Sequence, residues 1–258
     1  MLKDLKKARK CSIIIYVKLY HSKGITMKFK TELHCHSAPV SACAKAFPEE
    51  IVQAYLEHGY NTIVLTNHFS RFTFKNKRMG DLSALPWQEK VDYYMKGYHE
   101  LKEAAGDKIN IIFGCELRSN LDENDYLIYG LDEDFLRRNE DLYDVPTPEV
   151  SARVREAGFL FLQAHPFRDF MQMVNPQYLD GIEVFNGNPS QDSRNDIARI
   201  WAERFGLIGT SGSDFHKIVE GAFAGGILTD EPITSNEQLL EILRSGNFEM
   251  IKDNDKPQ

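Results

Sequence analysis

A chain of 258 residues that is 42% hydrophobic can bury one sizeable core. Its formal net charge of -7 and pI near 5.7 argue against an extended basic surface for duplex nucleic acid. A short strand in a local groove, or a small anion met by nearby Arg and Lys, is compatible with that balance. The four cysteines, at 11, 35, 43 and 115, form no C-x-x-C pair and are too few for a disulfide framework, which points to a reducing, cytoplasmic setting. No apolar run reaches transmembrane length, so no membrane partner is expected.

Residues 1–26 read as a leader of doubtful structure. Lys3, Lys6, Lys7, Arg9 and Lys10 precede a short apolar run, Ser12 to Val17, which Lys18 interrupts. No small-residue cleavage site follows, so a signal peptide is not the preferred reading. The coherent pattern begins at Met27-Lys28-Phe29-Lys30, and 27–258 is expected to be a single domain.

A first strand covers about 28–35. Pro48-Glu49-Glu50 then opens a helix through His58, with Pro near its start and Gly59 past its end. Asn61 to Thr66 is an apolar run too short for a helix and suited to a strand covered on both faces. The stretch 69–86 reads as a loop, 87–105 as a helix, 109–113 as a strand and 126–129 as a further strand. The acidic region 119–146 reads as an insertion or a loop over the mouth of the fold. A helix at 148–157, strands at 159–162 and 181–185, a helix at 190–205 and a strand at 207–210 follow. The C-terminal helix opens on Ser235-Asn236-Glu237-Gln238, a capping-box pattern. Strands alternating with helices predict an α/β fold of parallel strands, closed or nearly closed into a TIM-like barrel, whose site gathers at the carboxyl ends of the strands.

The ligand-type residues fall at those ends. His34 and His36 close the first strand, and alternation puts both on one face with Leu33 and Cys35 on the other. His68 follows the second strand, Glu116 the third, and His165 the run Phe161 to Ala164. Asp214 and His216 repeat the two-residue spacing after the last strand. Of eight histidines, only His21, His58 and His99 fall outside this set. Imidazole with carboxylate suits zinc, manganese or iron, and Glu116 can bridge two ions, so the expected cofactor is a set of two or more divalent metal ions, which the resemblance stated below extends to three. Two ions about 3.5 to 4 Å apart hold a hydroxide between them and stabilise the attacking and leaving oxygens of a phosphoryl centre. Cys35 and Cys115 are expected to face away as small core residues.

In this order the H-x-H of His34 and His36, Thr66-Asn67-His68, Glu116, Ala164-His165-Pro166, Gly181-Ile182-Glu183-Val184-Phe185-Asn186-Gly187 and Gly212-Ser213-Asp214-Phe215-His216 resemble the PHP-domain superfamily, the polymerase and histidinol phosphatases. The resemblance runs from about Met27 to the end. It implies a distorted seven-stranded (β/α)7 barrel, a cluster of up to three ions and, most often, phosphoester hydrolysis. It also implies that His34, His36, Glu116 and Asp214 hold a first ion, Glu116 and His165 a second, and His68 and His216 a third. Three departures stand out. Asn67 replaces an expected aspartate, and Ser41-Ala42-Cys43 lacks an expected His or Asp. No histidine occurs between Glu116 and Gly130. Asp125 and Cys43 are the available substitutes there, each ranked below a surface or packing role.

The expected function is metal-dependent hydrolysis of a phosphomonoester or nucleotide-type substrate, with Glu116, Asp214 and His216 as the catalytic residues. His216 is one of two candidate proton donors, beside a metal-bound water. The alternatives are an amidohydrolase-like attack on a C–N bond and a metal-binding module without catalysis. Arg168 is either a phosphate clamp or a solvated loop arginine. Asn186 and Asn188 either orient substrate or supply turn geometry. Arg71, Lys75, Lys77 and Arg78 form a basic loop that either draws in phosphates or short nucleic acid or is simply solvated. A small phosphorylated substrate is the expected partner; no oligomeric state follows from the sequence.

Overall fold

The structure, a computed structural model, describes residues 28–75 and 79–252. The expectations for the leader, for Met27 and for Lys77 and Arg78 lie outside the described residues. The chain enters the fold as strand β1 (Phe29–Cys35), buried along almost its whole length. Helix α1 (Pro48–Glu57) follows with Pro at its first position, and Gly59 adopts φ 75° just past its end. Strand β2 (Tyr60–Leu65), the two-residue β3 (His68–Phe69) and helix α2 (Trp87–Ala105) come next. Strands β4 (Asn110–Arg118) and β5 (Asp125–Tyr129) form a hairpin. Helices α3 (Glu133–Arg138) and α4 (Thr147–Glu156) lead to β6 (Leu160–Gln163), β7 (Gly181–Asn186), helix α5 (Asn195–Phe205) and β8 (Ile208–Gly212). The described chain ends with β9 (Ile227–Thr229), α6 (Asn236–Ser245) and β10 (Glu249–Met250). Ser235 caps α6, its hydroxyl accepting the Gln238 N–H at 3.3 Å. No described helix is long and apolar enough to cross a membrane.

The strands form one mixed sheet in the order β10-β9-β1-β2-β4-β5-β6-β7-β8, with β3 beside β4. The sheet nearly closes on itself at β1. Beyond β8, Phe215 donates its N–H to His34 O at 3.1 Å and its carbonyl accepts from His36 N at 3.0 Å, so the sheet curls into a barrel-like closure against β1. The expectation of parallel strands throughout is corrected at β5, which runs antiparallel to both β4 and β6, and at β9, antiparallel to β1. The six residues 119–124 between β4 and β5 are too few for a crossover helix, so the chain can only turn back. Region 119–146 is therefore no mere loop over the mouth: it contributes β5 and α3. The helix expected from residue 190 starts five residues later. Asn188 and Asp192 side chains accept the N–H groups of Ser190 and Arg194, and Arg194 sits at φ 48°, which holds 190–194 in turns.

The register of β1 against β2 shifts at two places, between Lys30 and Thr31 and between Glu32 and Cys35. Glu32 pairs with Ile63 and Cys35 with Leu65, three steps on β1 against two on β2, which is a β-bulge. Leu33 packs with Val64, Ile112 and Tyr129, whereas Cys35 packs with Ile51, Ile63 and Leu65. The two do not share a face, as strict alternation would require. The bulge turns Cys35 away from the histidines and into the layer under α1.

Candidate metal centre

The seven residues singled out in the sequence lie within one cluster. His34 Nε2 lies 3.1 Å from His36 Nε2, 3.1 Å from Glu116 Oε1 and 3.4 Å from Asp214 Oδ1. Glu116 is central. Its Oε2 lies 3.2 Å from His36 Nε2 and 2.9 Å from His68 Nδ1, and its Oε1 lies 3.2 Å from His165 Nε2. His216 Nδ1 stands 2.8 Å from the Asp214 carbonyl, which leaves Nε2 to face the cluster, and its ring lies 4.3 Å from that of His36. Glu116 sits inside β4, not after it, because β4 runs on to Arg118 and pairs there with β3, His68 opposite Glu116.

Four overlapping sets have their ligand atoms within 4.8 Å of one another: His34, His36 and Asp214; His34, Glu116 and His165; His68, Glu116 and Asp125; and His36, His68 and His216. The donor chemistry fits divalent transition ions. Glu116 Oε2 and His68 Nδ1 are buried and 2.9 Å apart, and Oε2 also faces His36 Nε2, yet neither atom makes a hydrogen bond. Lone pairs that converge without pairing off suit a shared cation. Two of the cluster's residues have strained backbone: His165 has φ 28° and Asp214 φ 48°.

Charge compensation within the cluster is mutual. Burial lowers the His34 imidazole, but Glu116, Glu183 and Asp214 outweigh it and hold the group well above its ordinary value. Burial raises Glu116, and His68 and His34 reverse that, leaving its carboxyl well below the usual range. Asp214 is lowered in the same way, by His34 and His216 against its burial. His68 is raised, Glu116 overcoming desolvation. Protons on imidazoles thus supply the positive charge that bound ions would replace.

Several residues hold the cluster in place. Glu183, on β7, accepts from His34 Nδ1 through Oε1 at 3.0 Å, and its Oε2 accepts the His165 N–H at 3.1 Å and Asn186 Nδ2 at 2.8 Å. Its signal in the sequence was a carboxylate in the middle of the apolar run Gly181 to Phe185. Glu32 Oε1 accepts the N–H groups of Leu33, His34 and Ser213, and Oε2 accepts the Tyr55 hydroxyl. Asn67 Oδ1 accepts from Ser37 N at 2.8 Å and Ser41 Oγ at 2.9 Å, while Ser41 Oγ accepts the His68 N–H and lies 3.3 Å from His36 Nδ1. The neutral pair Asn67 and Ser41 thus positions two histidines. Cys35 and Cys115 are core residues, as expected.

Arg168 lies at the site. Its Nη2 reaches Asp214 Oδ2 and Asn186 Oδ1, both at 2.8 Å, and Asn188 Nδ2 approaches Asp214 Oδ2 at 3.3 Å. Asn186 and Asn188 therefore help orient Asp214, directly or through Arg168. Arg71 is paired with Asp144 at 2.9 Å. Asp125, ranked low from the sequence, is corrected: it is buried and lies among His68, Glu116 and His165. It was missed because β5 is antiparallel, so its first residue, not its last, arrives at the site. Burial raises the Cys43 thiol, but His216 and His68 beside it outweigh that and bring it down to about 5.

A cavity of about 370 Å³ opens over the cluster, with His68, Asp125, His165, Asp214 and His216 on its wall and Lys45, Arg118, Arg168 and Lys217 around it. A second, of about 530 Å³, adjoins it through Cys43, His68 and Arg118 and carries the exposed Phe72.

Comparison with known proteins agrees with this geometry. Among curated proteins none matches the chain. Solved structures that share the fold include the following three. One is a two-domain protein from Bacteroides vulgatus containing a predicted PHP-like metal-dependent phosphoesterase, at 17% identity and TM-score 0.59, covering 87% of this chain and 64% of that one. The chain thus spans just under two thirds of that relative. The second is an amidohydrolase from Chromobacterium violaceum with bound sulfate and no metal, at 17% identity and TM-score 0.51, covering 87% and 98%. The third is a lesion-specific endonuclease, EndoQ of Pyrococcus furiosus, at 13% identity and TM-score 0.59, covering 87% and 58%. The sequence itself matches the PHP domain over residues 32–250, most of its length, and the chain belongs to that family.

Proposed function

We propose that the protein is a metal-dependent hydrolase of small phosphoesters, phosphomonoester or nucleotide-type. The observation that supports this best is the pairing of a buried imidazole and carboxylate cluster with a cationic rim: Lys45, Arg118, Arg168 and Lys217 surround the cavity above it. A chain of net charge -7 that gathers four cations at one mouth is arranged to draw in an anion. In this reading His34, His36, Glu116 and Asp214 hold one ion, Glu116 and His165 another, and His68 with His216 a third. When bound, the ions supply Lewis acidity toward phosphoryl oxygens and acidify the attacking water.

The chain's own residues do the rest. Arg168 is held in place by Asn186 and Ser193, and its Nε is buried without a partner, so a phosphoryl oxygen is a suitable acceptor for it. His216, 21% exposed and facing the cavity, is oriented by the Asp214 carbonyl. With the third ion's position unfilled, His216 is left to give a proton to the leaving oxygen. Amide hydrolysis is the second reading, supported by the amidohydrolase fold neighbour, but it gives the cationic rim no task. Phosphoesters, phosphodiesters and N-acyl amides, assayed with manganese or zinc, separate the two. Phosphate release is expected, and amide turnover without phosphate release contradicts the proposal.

A further inference from the structure

The carboxylate of Asp125 is the least explained group near the cluster. It opens β5, the strand that runs against its neighbours, and pairs across the hairpin with Arg118. Arg118 Nη1 donates to Oδ2 at 3.1 Å. That fixes one oxygen. The other, Oδ1, is buried and has no hydrogen-bond partner, although the residue is only 2% exposed. An ion pair with Arg118 alone does not account for this, because Arg118 is 36% exposed and an aspartate serving only that pair would sit toward solvent. Instead a carboxylate oxygen of Asp125 lies within 4.8 Å of ligand atoms of both His68 and Glu116, and Oδ2 stands 3.7 Å from His165 Nε2.

We propose that Asp125 is a metal ligand of the second site, beside Glu116 and His165, where the sequence pattern shows no histidine. The inference rests on the reading of the cluster as a metal centre and not on the choice of phosphoester as substrate. Two carboxylates with one imidazole make this site poorer in nitrogen than the first, which has both His34 and His36 beside its own two carboxylates. Oxygen ligands suit manganese, whereas added imidazole moves preference toward zinc. The two halves of the cluster therefore differ in hardness, and Arg118 sets which Asp125 oxygen faces the ion.

The test uses the full chain, stripped with chelator, reloaded with manganese(II) or zinc(II) and dialysed, with bound metal counted by mass spectrometry. Asp125→Asn is expected to lose about one ion per chain. Asp125→His is expected to keep that ion and to shift manganese-against-zinc competition toward zinc by at least about tenfold. Circular dichroism of the metal-free variants checks that each is folded, and the Asp125→His result stands even if Asp125→Asn is unstable. Unchanged metal content and competition in both variants overturns the proposal, as does a wild-type chain that retains no ion. If Asp125→Asn loses an ion while the wild type hydrolyses no phosphoester, the functional reading fails and this one holds.

Discussion

Glu32 Oε1 accepts the N–H of His34 at 2.8 Å and also that of Ser213, 181 positions along the chain, at 2.9 Å. One buried oxygen thus joins the bulged strand that presents His34 to the segment that presents Asp214. Removing it leaves three backbone N–H groups and the Tyr55 hydroxyl without an acceptor. Glu32→Ala is expected to destabilise the metal-free protein by about 3 kcal/mol or more, read from urea unfolding, and to lower retained metal. Glu32→Gln keeps one acceptor oxygen and is expected to lie between Ala and wild type.

Gly212 lies directly behind His34. A Cβ there would stand 2.5 Å from His34 Cβ and 2.6 Å from Glu183 Oε1, and Gly225 packs against the Gly212 backbone from the other side, so relief is blocked. Gly212→Ala is expected to cost about 1 to 3 kcal/mol and to reduce metal retention, because it displaces the imidazole and the carboxylate that orients it. Normal metal content in a folded Gly212→Ala chain contradicts the placement.

Arg168 joins Asp214 to the cavity. Its replacement by lysine keeps the charge but loses the planar fork, so hydrolysis of phosphoesters is expected to show a raised KM, about tenfold, with a smaller change in kcat. A KM unchanged in Arg168→Lys and Arg168→Ala alike removes the arginine from substrate binding.

The cluster also predicts how stability depends on pH. His34 and His68 titrate above 6.5 in the folded protein, so what they contribute is complete below 6.5 and lost as pH rises through their folded values. Glu116 and Asp214 titrate below 4.5 and 3.8, so what they contribute is complete above those values and lost as pH falls through their folded ones. The metal-free protein is therefore expected to gain most from the cluster between about pH 4.5 and 6.5, with a falling Tm above that window. Metal displaces the imidazole protons, so the loaded protein is expected to become more stable over the same rise in pH. Parallel Tm profiles with and without metal contradict the coupling.

Much of this cluster is legible in the sequence because most of its residues obey one rule, that they stand at the carboxyl ends of parallel strands. His34, His36, His68, His165, Asp214 and His216 obey it, and Glu116 lies inside β4 because that strand runs on to Arg118, past the Phe113 at which the sequence pattern ends it. Asp125 breaks the rule, since an antiparallel strand brings its first residue to the same end. Glu183 and Glu32 act through a histidine ring and through backbone N–H groups, and neither partner shows in a spacing. The bulge at Leu33 and His34 was hidden for the same reason, being made by a side chain that captures consecutive amides. In the fold, β9 and β10 escaped notice because three and two residues carry no periodicity of their own and are strands only by pairing with β1 and with each other.

The central claim is that His34 holds an ion on which hydrolysis depends, and His34→Ala tests it most directly. Metal content and phosphoester turnover are measured on wild-type and variant chains prepared side by side. The account predicts that the wild type carries transition metal and releases phosphate, and that His34→Ala loses metal and at least about 100-fold of the rate while remaining folded. A wild-type protein free of metal, or a variant that hydrolyses phosphoesters as fast as the wild type, contradicts it.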